Sequence, residues 1–291
     1  MSLYPVIHAE NQLGETPLWC ERTETLWWLD VLQAAVHRLD TRSGTHVSLP
    51  FETTYLGSLA LCESGKLLVA MDLGLYLYDT HTAHIEEVAR IPAQAAAGTR
   101  LNDGRCDAQG RFWVGTMDLE YTRPVGSLYR LDPDGTVTHM VPGIRLINSI
   151  AVSQDQRTLY CSDTRSHVLW AFDLDARAGT LSRQRIFAEY SGRDGRPDGA
   201  CIDAEGYLWV AMYAGGRILR YAPDGRIERT IPLPVSHPTC ICFGGRDLQT
   251  LYITTARSGL NPAQLRNEPL AGSLLAMDLD VQGLPQARFA A

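Results

Sequence analysis

Residues 100–117 read RLNDGRCDAQGRFWVGTM. The stretch opens on Asn102-Asp103-Gly104, which has the composition of a tight turn. It closes on Phe112-Trp113-Val114, aromatic and β-branched residues suited to a strand. Alone it does not say whether Asn102 only turns the chain or is presented to something. Its pattern, however, recurs along the whole sequence.

Six segments share it. They are TLWWLDVLQAAVHRLD from Thr25, KLLVAMDLGLYLYD from Lys66, RFWVGTMDLEYTRPVGSLYRLD from Arg111, TLYCSDTRSHVLWAFDLD from Thr158, YLWVAMYAGGRILRYAPDG from Tyr207, and TLYITTAR from Thr250 continuing to GSLLAMDLD. Each is a β-rich run, a polar or Gly-containing loop, a second β-rich run and an acidic residue. Anchored at Trp27, Leu67, Phe112, Leu159, Leu208 and Leu251, the units are spaced by 40, 45, 47, 49 and 43 residues. A period near 45 with several short strands per unit is the signature of propeller blades.

An apolar run ending in a hairpin turn precedes each anchor, as in GRCDAQG and GACIDAEG, and a fourth strand candidate follows most units. The expectation is an all-β, six-bladed β-propeller with four-stranded blades A to D, one domain over 1–291. The last blade lacks an outer strand, and YPVIHAE near the N-terminus is spare to supply it. No segment holds a 3.6-residue period, so no helix is expected beyond a possible turn at 93–98.

In a propeller, strand A of every blade begins at one mouth of the channel, and the D–A and B–C loops lie on that face. Aligned by apolar alternation, the first A-strand slots are Glu15, Gly57, Asn102, Asn148, Asp198 and Pro238. Asn, Asp and Gly begin strands everywhere as turn formers. Four side-chain oxygens in equivalent slots carry more weight, because the repeat points them into one space. Two carboxylates and two amides, with no His or Cys, suit a hard divalent cation.

Composition narrows the alternatives. A net charge of −7 argues against a nucleic-acid partner, which calls for a basic face. The seven cysteines are odd in number, form no C-x-x-C and sit in apolar runs, which suits free thiols in a reducing compartment. MSLYPVIHAE lacks the basic and apolar regions of a secretory signal, and no apolar run is long enough to span a membrane. A cytoplasmic protein is expected. There is no G-x-S-x-G and no P-loop. Asp132-Pro133-Asp134-Gly135 starts like an EF-hand loop but has Gly143 where a Glu is needed. His81 and His84 share a turn, and Trp27, Trp28, Trp113, Trp170 and Trp209 fall where blades pack.

With GETPLW, RLNDGRCDAQGRFWVGTM, INSIAVSQDQRTLYCSDT, RPDGACIDAEGYLWVAMY and PLAGSLLAMDLD, the chain resembles the gluconolactonase, regucalcin (senescence marker protein) and luciferin-regenerating enzyme family over essentially its whole length. The resemblance implies one divalent cation on Glu15, Asn148 and Asp198, from among Ca, Mn, Mg, Zn and Fe, with the oxygen ligands favouring Ca, Mn or Mg. It implies substrate contacts at Arg100, Asn102 and Glu120, a small-molecule sugar lactone as substrate, and hydrolysis to the aldonic acid. Asp198 is then the candidate general base. Two departures stand beside the ligands: Thr16 and Ser149 replace glycines common in the family. The rival readings are a propeller hydrolase of other esters or organophosphates, and a non-catalytic Ca-binding propeller.

Overall fold

The computed structural model describes residues 2–92 and 97–291; the expected turn at 93–98 falls largely outside them. Six four-stranded antiparallel sheets make the blades of a six-bladed β-propeller. In blades 1 to 5 the strand order follows the chain. Blade 6 takes its outer strand from the N-terminus, where Leu3–Ile7 pairs antiparallel with Leu274–Asp278, as the spare YPVIHAE predicts.

The chain divides into two compact units. Met1–Glu52 with Tyr190–Pro285 holds blades 1, 5 and 6, and Thr53–Glu189 with Gln286–Ala291 holds blades 2, 3 and 4. In the first unit, strand 6A (Pro238–Gly244) packs against 1A (Gly14–Cys20) and 5A (Arg196–Ile202). In the second, 3A (Thr99–Cys106) packs against 2A (Leu56–Leu61) and 4A (Ile147–Val152). Apolar side chains of neighbouring blades interdigitate: Trp113 with Ile147 and Phe172 in the second unit, Trp209 with Ile241 and Phe243 in the first. All seven cysteines are buried, and none is in a disulfide.

The hairpin turns predicted from DAQG and DAEG carry their own fastening. Asp107 Oδ1 accepts the N–H groups of Gln109 and Arg111, while its Oδ2 accepts the indole N–H of Trp113 at 3.0 Å. Asp203 repeats this in blade 5, on Glu205, Tyr207 and Trp209. One carboxylate thus closes the A–B turn and satisfies the polar atom of a buried tryptophan, which otherwise costs a hydrogen bond in the core.

Three features differ from the sequence reading or lie outside it. Asn102, expected to open strand 3A, lies inside it, three residues after its start at Thr99. A short helix, α1 (Pro262–Asn267), stands in the B–C loop of blade 6. The C-terminal QARFA is not idle: Phe289 is buried and forms a parallel bridge with Cys62, and Ala290 N–H donates to Gly110 O.

Candidate functional site

Every A strand breaks register with its B partner at the slot picked out by the repeat. The breaks fall between Glu15 and Leu18, Leu56 and Ser58, Leu101 and Gly104, Asn148 and Ala151, Pro197 and Ala200, and Pro238 and Ile241. A break of this kind frees side chains from the ladder and re-aims them. It is why a turn-like triplet sits within a strand.

In the second unit the break in 3A carries Asn102 against 4A. Arg100, buried, donates from Nη1 to Leu101 O at 2.9 Å and to Asn102 Oδ1 at 2.8 Å, with its guanidinium 5.1 Å from the Tyr55 ring. That contact fixes the Asn102 amide, whose Nδ2 then donates to Ile147 O at 3.0 Å and Asn148 Oδ1 at 2.6 Å. Asn148 in turn donates from Nδ2 to Thr164 Oγ1 at 2.9 Å. Both amides are therefore oriented by their partners.

Three of the expected site residues, Arg100, Asn102 and Asn148, are thus joined in one chain of hydrogen bonds. Glu120 stands apart, exposed in the B–C loop of blade 3 after strand 3B (Phe112–Asp118). Asp103 and Thr164 escaped sequence reasoning. Asp103 is buried and accepts the N–H of Ile150 at 2.8 Å, tying 3A to the backbone two residues beyond Asn148. Burial raises its pKa, against the opposing charge of Arg105 and the N–H groups of Ile150 and Gly104. Its only sequence signal was its place directly after the slot.

Gly57, the blade 2 slot, has a steric reason. A Cβ there would stand 2.6 Å from Leu101 O and 3.1 Å from Asn102 N, so only glycine lets 3A come this close.

In the first unit, Glu15 is half-buried and its Oε2 accepts the N–H of Thr16 at 3.1 Å. Asp198 is buried within the break of 5A, beside Gly199, whose Cβ would collide with Cys240. Thr16 and Ser149 both adopt left-handed backbone, at φ 47° and φ 55°, a conformation that favours glycine.

Among the described residues no group of three or more His, Cys, Asp or Glu side chains could hold a metal ion. The expected ligand set does not need one, since it has two carboxylates and an amide. Each expected donor is by its chemistry an oxygen suited to a hard cation: Glu15 and Asp198 as carboxylates in the first unit, and in the second unit the Asn148 carbonyl, held in place by Asn102 and Thr164.

The family model for the SMP-30/Gluconolactonase/LRE-like region matches residues 13–257. A 6-deoxy-6-sulfogluconolactonase of Pseudomonas putida is 40% identical, with 98% of this chain and 97% of that one covered. Regucalcin of Danio rerio is 34% identical over 96% and 95%. Among solved structures, a regucalcin from Agrobacterium tumefaciens, described as a calcium-binding protein, superposes with a TM-score of 0.94 at 31% identity, covering 99% and 97%.

Proposed function

Because the chain belongs to the SMP-30/Gluconolactonase/LRE-like family, we propose that it hydrolyses a sugar lactone to the aldonic acid with one divalent cation held by Glu15, Asn148 and Asp198. The observation that carries this reading is the Arg100–Asn102–Asn148 chain, which orients the carbonyl oxygen of one expected ligand. The equivalence of the A-strand slots in the repeat supports the other two. When bound, the cation supplies Lewis-acid polarisation of the lactone carbonyl.

The rest is work for side chains. Asp198 takes a proton from the attacking water at a carboxylate oxygen as the water oxygen bonds to the carbonyl carbon. The ring C–O bond then breaks, and the departing oxygen takes up a proton to become a hydroxyl. Arg100, Asn102 and Glu120 hold the sugar hydroxyls, which fixes the approach. Arg100 acts partly through Asn102, since one of its N–H groups is already committed there.

A narrower second reading concerns the substrate. The 40% identical relative is named for a sulfonated sugar lactone. On the blade 4 B–C loop, Arg165 is exposed over the Tyr121 ring at 5.7 Å, next to Glu120, and no carboxylate among the described residues forms a salt bridge with it. A cation in that place suits a lactone with an anionic group at C6.

The test is a pH-stat assay against pentono-, hexono- and 6-sulfo-lactones, after chelation and with each metal restored. Turnover of none of them would refute the reading. Preference for the sulfonated lactone, lost in Arg165→Ala, would establish the narrower one.

A further inference from the structure

The B–C loop of blade 6, residues 256–273, is the longest of its kind and contains α1. Asn261 caps the helix, accepting from Ala263 and Gln264, while the Gln264 side chain returns a bond to Asn261 N–H. At its base the loop is tied to the segment that leads into strand 1A. Ser258 N–H donates to Gln12 O at 2.8 Å, Arg257 N–H to Asn11 O, and Asn11 N–H to Gly272 O. Gln12 lies three residues before Glu15.

The other side of the loop leans on blade 5. Tyr213, the last residue of strand 5B (Leu208–Tyr213), stacks on His237 with ring centroids 4.2 Å apart and planes 18° from parallel. Both rings converge on one acceptor, the carbonyl of Ser258: Tyr213 OH at 3.2 Å and His237 Nδ1 at 3.1 Å. A carbonyl only accepts, so His237 carries its proton on Nδ1. Burial, helped by Arg196, lowers its pKa against the pull of the Ser258 bond and Glu268. Next to it, Ser236 donates N–H and Oγ–H to Glu268, the C-terminal cap of α1, at 2.7 and 2.9 Å.

The register gives these contacts a target. Tyr213 pairs with Arg196, two residues before Asp198. The loop therefore joins the two segments that carry Glu15 and Asp198. Gly259 sits under the stacked rings at φ +84°, where a Cβ would meet Tyr213 OH at 3.1 Å and His237 Cε1 at 3.3 Å.

We infer that Tyr213 and His237 are a positioning pair: they seat the 256–273 loop beside Glu15 and Asp198, and the seated loop selects among lactones. The selection rests on the lactonase reading; the seating does not. Long loops on a rigid scaffold carry specificity when something fixes their conformation.

The experiment compares wild type with His237→Ala, His237→Asn and Tyr213→Phe. Three quantities are measured: amide hydrogen exchange at Ser258 and Leu260, cation affinity by calorimetry, and kcat and KM for two lactones differing in a single substituent. His237→Ala should speed exchange about tenfold and shift the kcat/KM ratio of the two lactones by a similar factor through KM, as loss of a hydrogen bond and a stacked ring implies. Cation affinity should not change, and His237→Asn, which returns a donor near Nδ1 but no ring, should recover the part of both effects that the hydrogen bond supplies. Tyr213→Phe keeps the stack, loses one bond and should give a smaller effect of the same kind; it decides the matter if His237→Ala does not fold. Unchanged exchange would overturn the seating. Faster exchange with an unchanged ratio would overturn the selection. A wild type that turns over no lactone would refute the lactonase reading and the selection, while exchange would still decide the seating.

Discussion

The side-chain amide of Asn102 donates to the side-chain oxygen of Asn148 across 2.6 Å, from one blade to the next. Two slots that the repeat presents as equivalent thus hold unequal roles. Asn102 has its oxygen turned to Arg100, while Asn148 has its oxygen held by an N–H donor. The first is a poor candidate for a cation ligand in this rotamer; the second keeps a lone pair for one.

Asn102→Ala should therefore act on the cation only indirectly. Removing one hydrogen bond to Asn148 should cost about 0.5–1.5 kcal/mol of cation affinity, far less than Glu15→Ala, with a further loss in kcat/KM from the substrate side. Titration calorimetry beside lactone kinetics separates the two. Complete loss of the cation in Asn102→Ala would make Asn102 a direct ligand.

Asp198→Asn keeps the shape and an oxygen donor but removes charge and basicity. Cation affinity should fall, and turnover should stay low when cation is added to saturation, by a factor of about 10²–10⁴ for a missing general base. Near-normal kcat at saturating cation would assign the proton transfer elsewhere.

Gly57→Ala should disturb the site without touching any expected ligand. Its Cβ would press on Leu101 O, which is backbone and cannot swing aside. A loss of about 1–3 kcal/mol in denaturant unfolding is expected, as for other overpacked positions. A variant as stable as wild type would show that 3A yields easily.

Much of this was legible in the chain. The six blades follow from a period near 45, and the closing strand from an outer strand missing at one end and spare at the other. What stayed hidden depends on contacts between repeats. Asn102-Asp103-Gly104 has turn composition, but neighbouring A strands hold it as a break inside a strand. Asp103 looks like a turn residue until Ile150 N–H is seen on it. Phe289 packs against residues distant in sequence. The helix α1 did leave a local trace in Asn261-Pro262-Ala263-Gln264, a capping box with proline at the first turn. Six residues are too few to show a helical period.

Stability should fall in acid for a reason outside the site. In blade 1, His37 Nδ1 and His46 Nε2 lie 3.1 Å apart, and both rings stack on Trp28. Burial first, then the His46 charge, push His37 from 6.5 down to about 4, with Asp30 opposing. A lowered folded pKa means that the unfolded chain takes the proton first. The contribution is whole above about pH 6.5 and is lost as the pH falls toward 4. His37→Phe should flatten the fall in urea midpoint between about pH 7 and pH 4.5. Equal slopes in both proteins would place the acid sensitivity elsewhere.

We propose that a divalent cation on oxygen ligands is required for lactone hydrolysis. The most direct test is acid release from the preferred lactone, followed by pH-stat before chelation, after exhaustive chelation, and after adding back Ca²⁺, Mn²⁺ or Mg²⁺. Turnover should disappear on chelation and return with at least one of these ions in wild type, but not in Glu15→Ala. Full turnover in the chelated protein would contradict it.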